Sequence, residues 1–290
     1  MQSKSTISKL TGSLLKLVAV SALMLGAAGI SQQAVAGIAN TKHNLGSTGA
    51  AGNNKTSDTG EICVFCHTPH AADTTAPAPL WNKNLSSIAT GFTTYSTASS
   101  STIDGEVLAV GSVSIACLSC HDGSQAMDNI INAPGSGGYD TTGGGANGRA
   151  YTWSGSSVNA QGVMQSSSIA MLGKDLTNDH PIGIQYCGGG QTAATPTGAC
   201  KDTDFKGPGS GLNSATINSQ LVWWVDSTGA GGTAGSRDKT DMILYSRAFA
   251  AGTGPSVECA SCHDPHTETN PTFLRVSNVG SGVCLSCHVK

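Results

Sequence analysis

One five-residue pattern, Cys-x-x-Cys-His, constrains this chain more than any other feature, and it occurs at Cys63–His67, Cys117–His121, Cys259–His263 and Cys284–His288. This run is the covalent attachment site of a c-type haem. The paired cysteines form thioethers to the two vinyl groups of one macrocycle, and the adjacent histidine reaches the iron. The expected cofactor load is therefore four covalently bound haem c, held by Cys63, Cys66, Cys117, Cys120, Cys259, Cys262, Cys284 and Cys287. His67, His121, His263 and His288 are the expected proximal ligands.

Histidine usage extends the reading. The chain has eight histidines, and those outside the motifs are His43, His70, His180 and His266. Four irons offer eight axial positions, so the simplest expectation is bis-histidine ligation throughout. A six-coordinate iron has no open position for a substrate, which makes the chain an electron carrier rather than an enzyme, with no catalytic residue. The rival ligands are Met127, Met164, Met171 and Met242, but methionine more often fills a core.

Residues 1–36 read as a secretory signal peptide, with Lys4, Lys9 and Lys16 ahead of an apolar stretch and Ala34-Val35-Ala36 at the cleavage site. No segment reads as a membrane span. Removing those three lysines from a net charge of −3 leaves −6, which offers no basic surface for nucleic acid. Only 11% of residues are charged and 38 are glycine, yet 38% are hydrophobic, too many for a disordered chain. Large apolar cofactors then supply the core that the few aromatics do not. The remaining cysteines, Cys187 and Cys200, bracket a Gly/Thr-rich loop and are expected to form a disulfide in an oxidising compartment.

The expected fold is mostly irregular chain around a haem array, with single helical turns at the motifs and a few β-strands. Residues 37–290 form a single tetrahaem unit, in which 37–135 carry the first two motifs, 136–250 are a glycine-rich haem-free insertion containing the disulfide, and 251–290 carry the last two. Turns are expected at Gly135-Ser-Gly-Gly and Gly143-Gly-Gly. Gln220–Val225 reads as a strand, and Asp241–Ala250 suits a helix or a strand equally.

Two motifs extend to Cys-x-x-Cys-His-x-Pro-His, ending at His70 and His266. Residues three apart in a helical turn share a side. His70 and His266 should therefore serve a haem other than their own, which ties neighbouring haems together. The pairing this gives is His70 with the Cys117/Cys120 haem and His266 with the Cys284/Cys287 haem, leaving His43 and His180 for the first and third.

Lys42-His43-Asn44-Leu45, the extended motif at Cys63–His70, Cys117–Gly123, Asn178–Ile182, the extended motif at Cys259–His266 and Cys284–His288 follow one another along the chain. In this it resembles the extracellular tetrahaem c-type cytochromes that polymerise into conductive filaments, the OmcE-like family. The resemblance implies bis-histidine haems in alternating parallel and T-shaped pairs. It also implies self-association head to tail, one haem taking a histidine from the next subunit. His43 is a candidate for that loan, and folding back onto its own first haem is the equal alternative. Further implied partners are other redox cytochromes and extracellular acceptors such as ferric oxides, and the implied location is a secreted, extracellular filament. A monomeric periplasmic tetrahaem shuttle is the alternative, and a multihaem reductase with an open iron site a more distant one.

Overall fold

The computed structural model describes residues 37–290, apart from 86–87, 89, 97–99, 136–137, 229–236 and 290. The leader 1–36 with its cleavage site, and part of the Gly135–Gly138 turn, lie outside the described residues. Ile38–Lys290 form one unit, and its described residues are mainly turns and bends around two small antiparallel sheets and three short α-helices.

The larger sheet has the order β3-β7-β6-β5-β4, from β3 (Ile184–Gln185), β4 (Leu212–Ile217), β5 (Gln220–Val225), β6 (Met242–Phe249) and β7 (Gly252–Val257). β5 is the strand expected from sequence, and Met242–Phe249 resolves as a strand. The β4–β5 hairpin turns on Asn218 and Ser219, both at positive φ (49° and 63°). That two-residue left-handed geometry matches the twist of the strands it joins.

Side chains alternate across a strand. Trp223 and Val225 therefore share one face and Trp224 takes the other, yet all three are fully buried, so this end of the sheet is covered on both sides. The first face packs on Tyr186, Leu212, Met242, Leu244 and Val257. Met127 and Met164 are buried as well, so three of the four candidate methionines act as packing. The Cys187–Cys200 disulfide, with a Cα–Cα distance of 5.4 Å, fastens the loop beside this core.

The second sheet pairs β1 (Lys55–Thr56) with β2 (Trp153–Ser154). Helix α1 (Ser112–His121) carries the second motif, α2 (Cys259–Cys262) the third and α3 (Gly282–Cys287) the fourth. α1 exceeds the single turn expected because Ile115, Ala116 and Leu118 are buried along it, and Ile115 and Ala116 join a cluster with Trp81, Leu85 and Ile88. Tertiary packing stabilises a helix that its propensity alone would not hold. The segment read as a haem-free insertion supplies β2 to β6, so it forms most of the scaffold behind the third motif.

Candidate haem sites

Each motif closes a turn on itself. The main-chain N–H of His67 donates to the carbonyl of Cys63 (2.8 Å), that of His263 to Cys259 (3.2 Å) and that of His288 to Cys284 (2.8 Å). In the second motif the same spacing lies within α1. Both cysteines and the histidine are thereby gathered on one side of a short segment. Cys66 packs at the edge of two apolar clusters, one around Trp81 and Ile115 and one around Phe65 and Ile130. Cys262 and Cys287 border the core of the large sheet.

The rings are oriented by main-chain carbonyls. Nδ1 of His67 lies 2.7 Å from the Pro79 carbonyl, that of His121 2.7 Å from Ala170, that of His263 2.8 Å from Thr272, and that of His43 3.1 Å from Pro265. A carbonyl only accepts, so each Nδ1 must carry the proton and Nε2 keeps its lone pair. A metal-binding imidazole has this arrangement, with its second nitrogen fixed by an outer partner. Desolvation, with the neighbouring His121, lowers the His43 ring to about 4 and keeps it neutral. Burial likewise lowers His121.

Two ring pairs stand out. The centroids of His67 and His266 are 6.2 Å apart with planes 13° from parallel, and those of His43 and His121 are 6.2 Å apart at 67°. Metal–imidazole bonds of about 2 Å, with roughly 1 Å more from nitrogen to ring centre, place two rings on opposite sides of a metal about 6 Å apart. The two observed separations equal that distance, with one pair stacked and the other edge-on.

They also depart from the pairing expected from sequence. His266 stands opposite His67 rather than beside the fourth motif, and His43 stands opposite His121 rather than at the first. The helical-turn argument sends His266 to a motif other than its own, and the ring it lies beside is that of His67. It could not say where the chain between motifs would fold. His70 and His180 are exposed. Among the described residues, neither has another ring within contact distance. Nδ1 of His180 lies 3.0 Å from the Pro181 carbonyl. Phe205 lies 4.1 Å from His288, and Phe273 stacks at 4.2 Å on His43.

The thiols run in sequence order through the molecule. Burial pushes the Cys66 thiol up to about 12, and nearby Cys120 adds to the shift. Cys117 donates to Cys259, which raises the former and lowers the latter. Burial raises Cys262 to about 11, with Cys259 and Cys284 contributing, and Cys287 to about 12, with Cys262 contributing. Motif one thus neighbours two, two neighbours three, and three neighbours four. Cys63 and Cys284, the first cysteines of the outer motifs, are exposed.

Most of the exposed large apolar side chains among the described residues lie near a motif or near a carbonyl that holds its histidine. Leu80 follows the carbonyl that holds His67, Ile169 and Leu172 flank the one that holds His121, and Val279, Leu285 and Val289 surround the fourth motif; all six are exposed. Exposed apolar groups collected at one kind of place mark a surface made for covering.

A buried cluster joins the second and third motifs. The Glu258 carboxylate, 1% exposed, accepts from Arg247 (2.7 Å), Ser114 (2.5 Å) and Ser256 (3.1 Å). It also caps α2 through the N–H of Ser261, whose hydroxyl accepts from the Glu258 N–H. Ser114 on α1 accepts in turn from the Cys259 N–H at 3.0 Å. Burial raises the Glu258 carboxyl above its usual range, while these donors oppose the shift. Sequence reading missed Glu258, Arg247 and the carbonyl partners. The Ser261 spacing after Glu258 was the one local sign, whereas Ala170 lies 49 residues from His121 with no sign at all.

Residues 252–290 match the family model of the doubled CXXCH motif, covering the third and fourth motifs. No curated protein matches the chain at significant similarity.

Proposed function

We propose, from the premise that the doubled-motif match over residues 252–290 points to a multihaem c-type cytochrome with covalently bound haem, that the chain holds four such groups in a row and passes electrons along them as a subunit of an extracellular filament. When bound, each haem supplies a one-electron iron couple. The chain's part is to fix the order, spacing and ligation of those couples.

The observation that carries the reading is the succession of neighbouring thiols, Cys66 with Cys120, Cys117 with Cys259, and Cys262 with Cys284 and Cys287. It supports a linear array whose outer members lie beside exposed Cys63 and Cys284. Two accessible ends are what a conduit needs. The ring separations support His67 with His266 as the ligands of the first iron and His121 with His43 as those of the second. His70 and His180 then remain for the irons held by His263 and His288. Their exposure suits a ligand offered to, or taken from, an adjoining copy. A contact of that kind repeats head to tail and yields an open filament. The reading also places the mature chain outside the cytoplasm. No helix among the described residues is long and apolar enough to cross a membrane.

Purification from a host that matures c-type haem tests this. The expected result is four haems per chain by pyridine haemochrome, a low-spin electronic spectrum and filaments by negative-stain microscopy. Fewer haems, or a high-spin iron that binds carbon monoxide readily, would overturn the six-coordinate conduit. Haem-loaded monomers at all concentrations would overturn the filament and leave a soluble shuttle.

A further inference from the structure

Lys83 is fully buried, an unusual place for an ammonium group. The segment bearing it runs alongside the first motif. The Asn82 N–H donates to the Cys66 carbonyl (2.9 Å), and the Asn82 side-chain amide donates to the Val64 carbonyl (2.6 Å). Its Nζ donates to the carbonyls of Ala126 (2.9 Å) and Met127 (3.1 Å), in the stretch just after the second motif. Among the described residues no carboxylate lies within ion-pair distance of that Nζ. By contrast, the half-buried Arg247 pairs with Glu258 at 2.7 Å.

Lys83 acts electrostatically on Cys66, the second thioether position of the first motif, and on buried Asp128. Asp128 is held by the Tyr151 N–H at 2.8 Å. Two carbonyl dipoles and the more distant Asp128 carboxylate oppose the ammonium without forming an ion pair with it. Its field therefore reaches the neighbouring motif across a low-dielectric interior, where charges interact more strongly than in water.

We propose that Lys83 is a potential-setting residue, a fixed buried charge that raises the reduction potential at the Cys63/Cys66 site. This rests on the reading of that motif as a haem site. The physical argument is brief. Reduction lowers the charge of the site by one unit, and a nearby positive charge favours the state with the extra electron. Burial, local charge and hydrogen bonding are the protein's means of tuning a haem. Because the charge is locked between two segments of main chain, the bias does not vary with the motion of a surface side chain.

The test is a spectroelectrochemical titration of the purified, haem-loaded protein. Lys83→Met removes the charge and keeps the length, whereas Lys83→Arg keeps both the charge and donors for the carbonyls. With four haems attached, Lys83→Met is expected to move one component to lower potential, and Lys83→Arg to leave it near the wild-type position. Superimposable curves for Lys83→Met and wild type would overturn the assignment, as would an equal downward shift in Lys83→Arg. If Lys83→Met fails to mature, Asp128→Asn removes the opposing charge with little change of shape and should move the same component upward. No movement there overturns the proposal. Mass analysis of the peptide spanning Cys63 and Cys66 separates this from failure of the underlying reading, since a peptide without haem would refute the site itself.

Discussion

Truncation of Glu258 to alanine should destabilise the protein more than almost any other single change outside the haem motifs. The side chain is 1% exposed and holds together β6 through Arg247, α1 through Ser114, and the start of α2. Removing it strands the Arg247 guanidinium, whose side chain is only 17% exposed. Breaking a buried ion pair from one side costs roughly 3–5 kcal/mol. The partial exposure of Arg247 places this case at the lower end, about 3 kcal/mol. For a chain of this size each kcal/mol shifts the melting temperature by about 2–4 °C. A fall of about 10 °C is therefore expected in thermal melts followed by circular dichroism. Glu258→Gln keeps the shape and loses only charge-assisted hydrogen bonding, which should cost about 1.5–3 kcal/mol.

The pH dependence gives an independent check. Burial raises the folded-state carboxyl above its ordinary value. Its protonated form is thus favoured on folding, so the associated stability is present in acid and is lost as pH rises through the raised value. The wild type should lose stability over that window, and Glu258→Gln should show a shallower slope. A Glu258→Ala melting temperature within about 2 °C of wild type, or parallel pH profiles for wild type and Glu258→Gln, would refute the reasoning.

Other expectations follow from single contacts. Cys187→Ser with Cys200→Ser opens a loop with a sequence separation of 13, which should cost about 3 kcal/mol in urea unfolding under oxidising conditions. His266→Ala should perturb the site at His67 and leave that at His288 low-spin, and electron paramagnetic resonance should show one altered haem; perturbation at the fourth motif alone would contradict the 6.2 Å pairing. Trp223→Ala, at a fully buried position in the large sheet, should cost roughly 3–5 kcal/mol in the same unfolding assay.

The four motifs are legible in the sequence because their spacing is the signal, and the doubled-motif match at residues 252–290 picks out the last two. A Cys-x-x-Cys-His run is a single turn that needs no distant partner to be recognised. β5 was equally plain, since Gln220–Val225 is a largely apolar run containing a Trp pair. Met242–Phe249 was not, because its residues suit helix and strand alike, and pairing with β5 and β7 decides the matter. The contacts between histidine rings were the least accessible part. His43 reaches His121, and His266 reaches His67, through folding of glycine-rich chain that carries no periodic signal. Nothing in the sequence around Lys83 signals burial, and only the third dimension shows it enclosed. The same holds for Ala170, whose backbone oxygen, not its side chain, serves His121.

The bond from Ser114 to Glu258 joins positions 144 residues apart. A chain emerging from its amino end exposes the second motif long before the partner that steadies it has appeared. Closing so wide a gap is slow compared with local turn formation. On the proposed reading of Cys117 and Cys120 as a haem site, attachment there would not have to wait for Glu258, whose bond to Ser114 would close later around it.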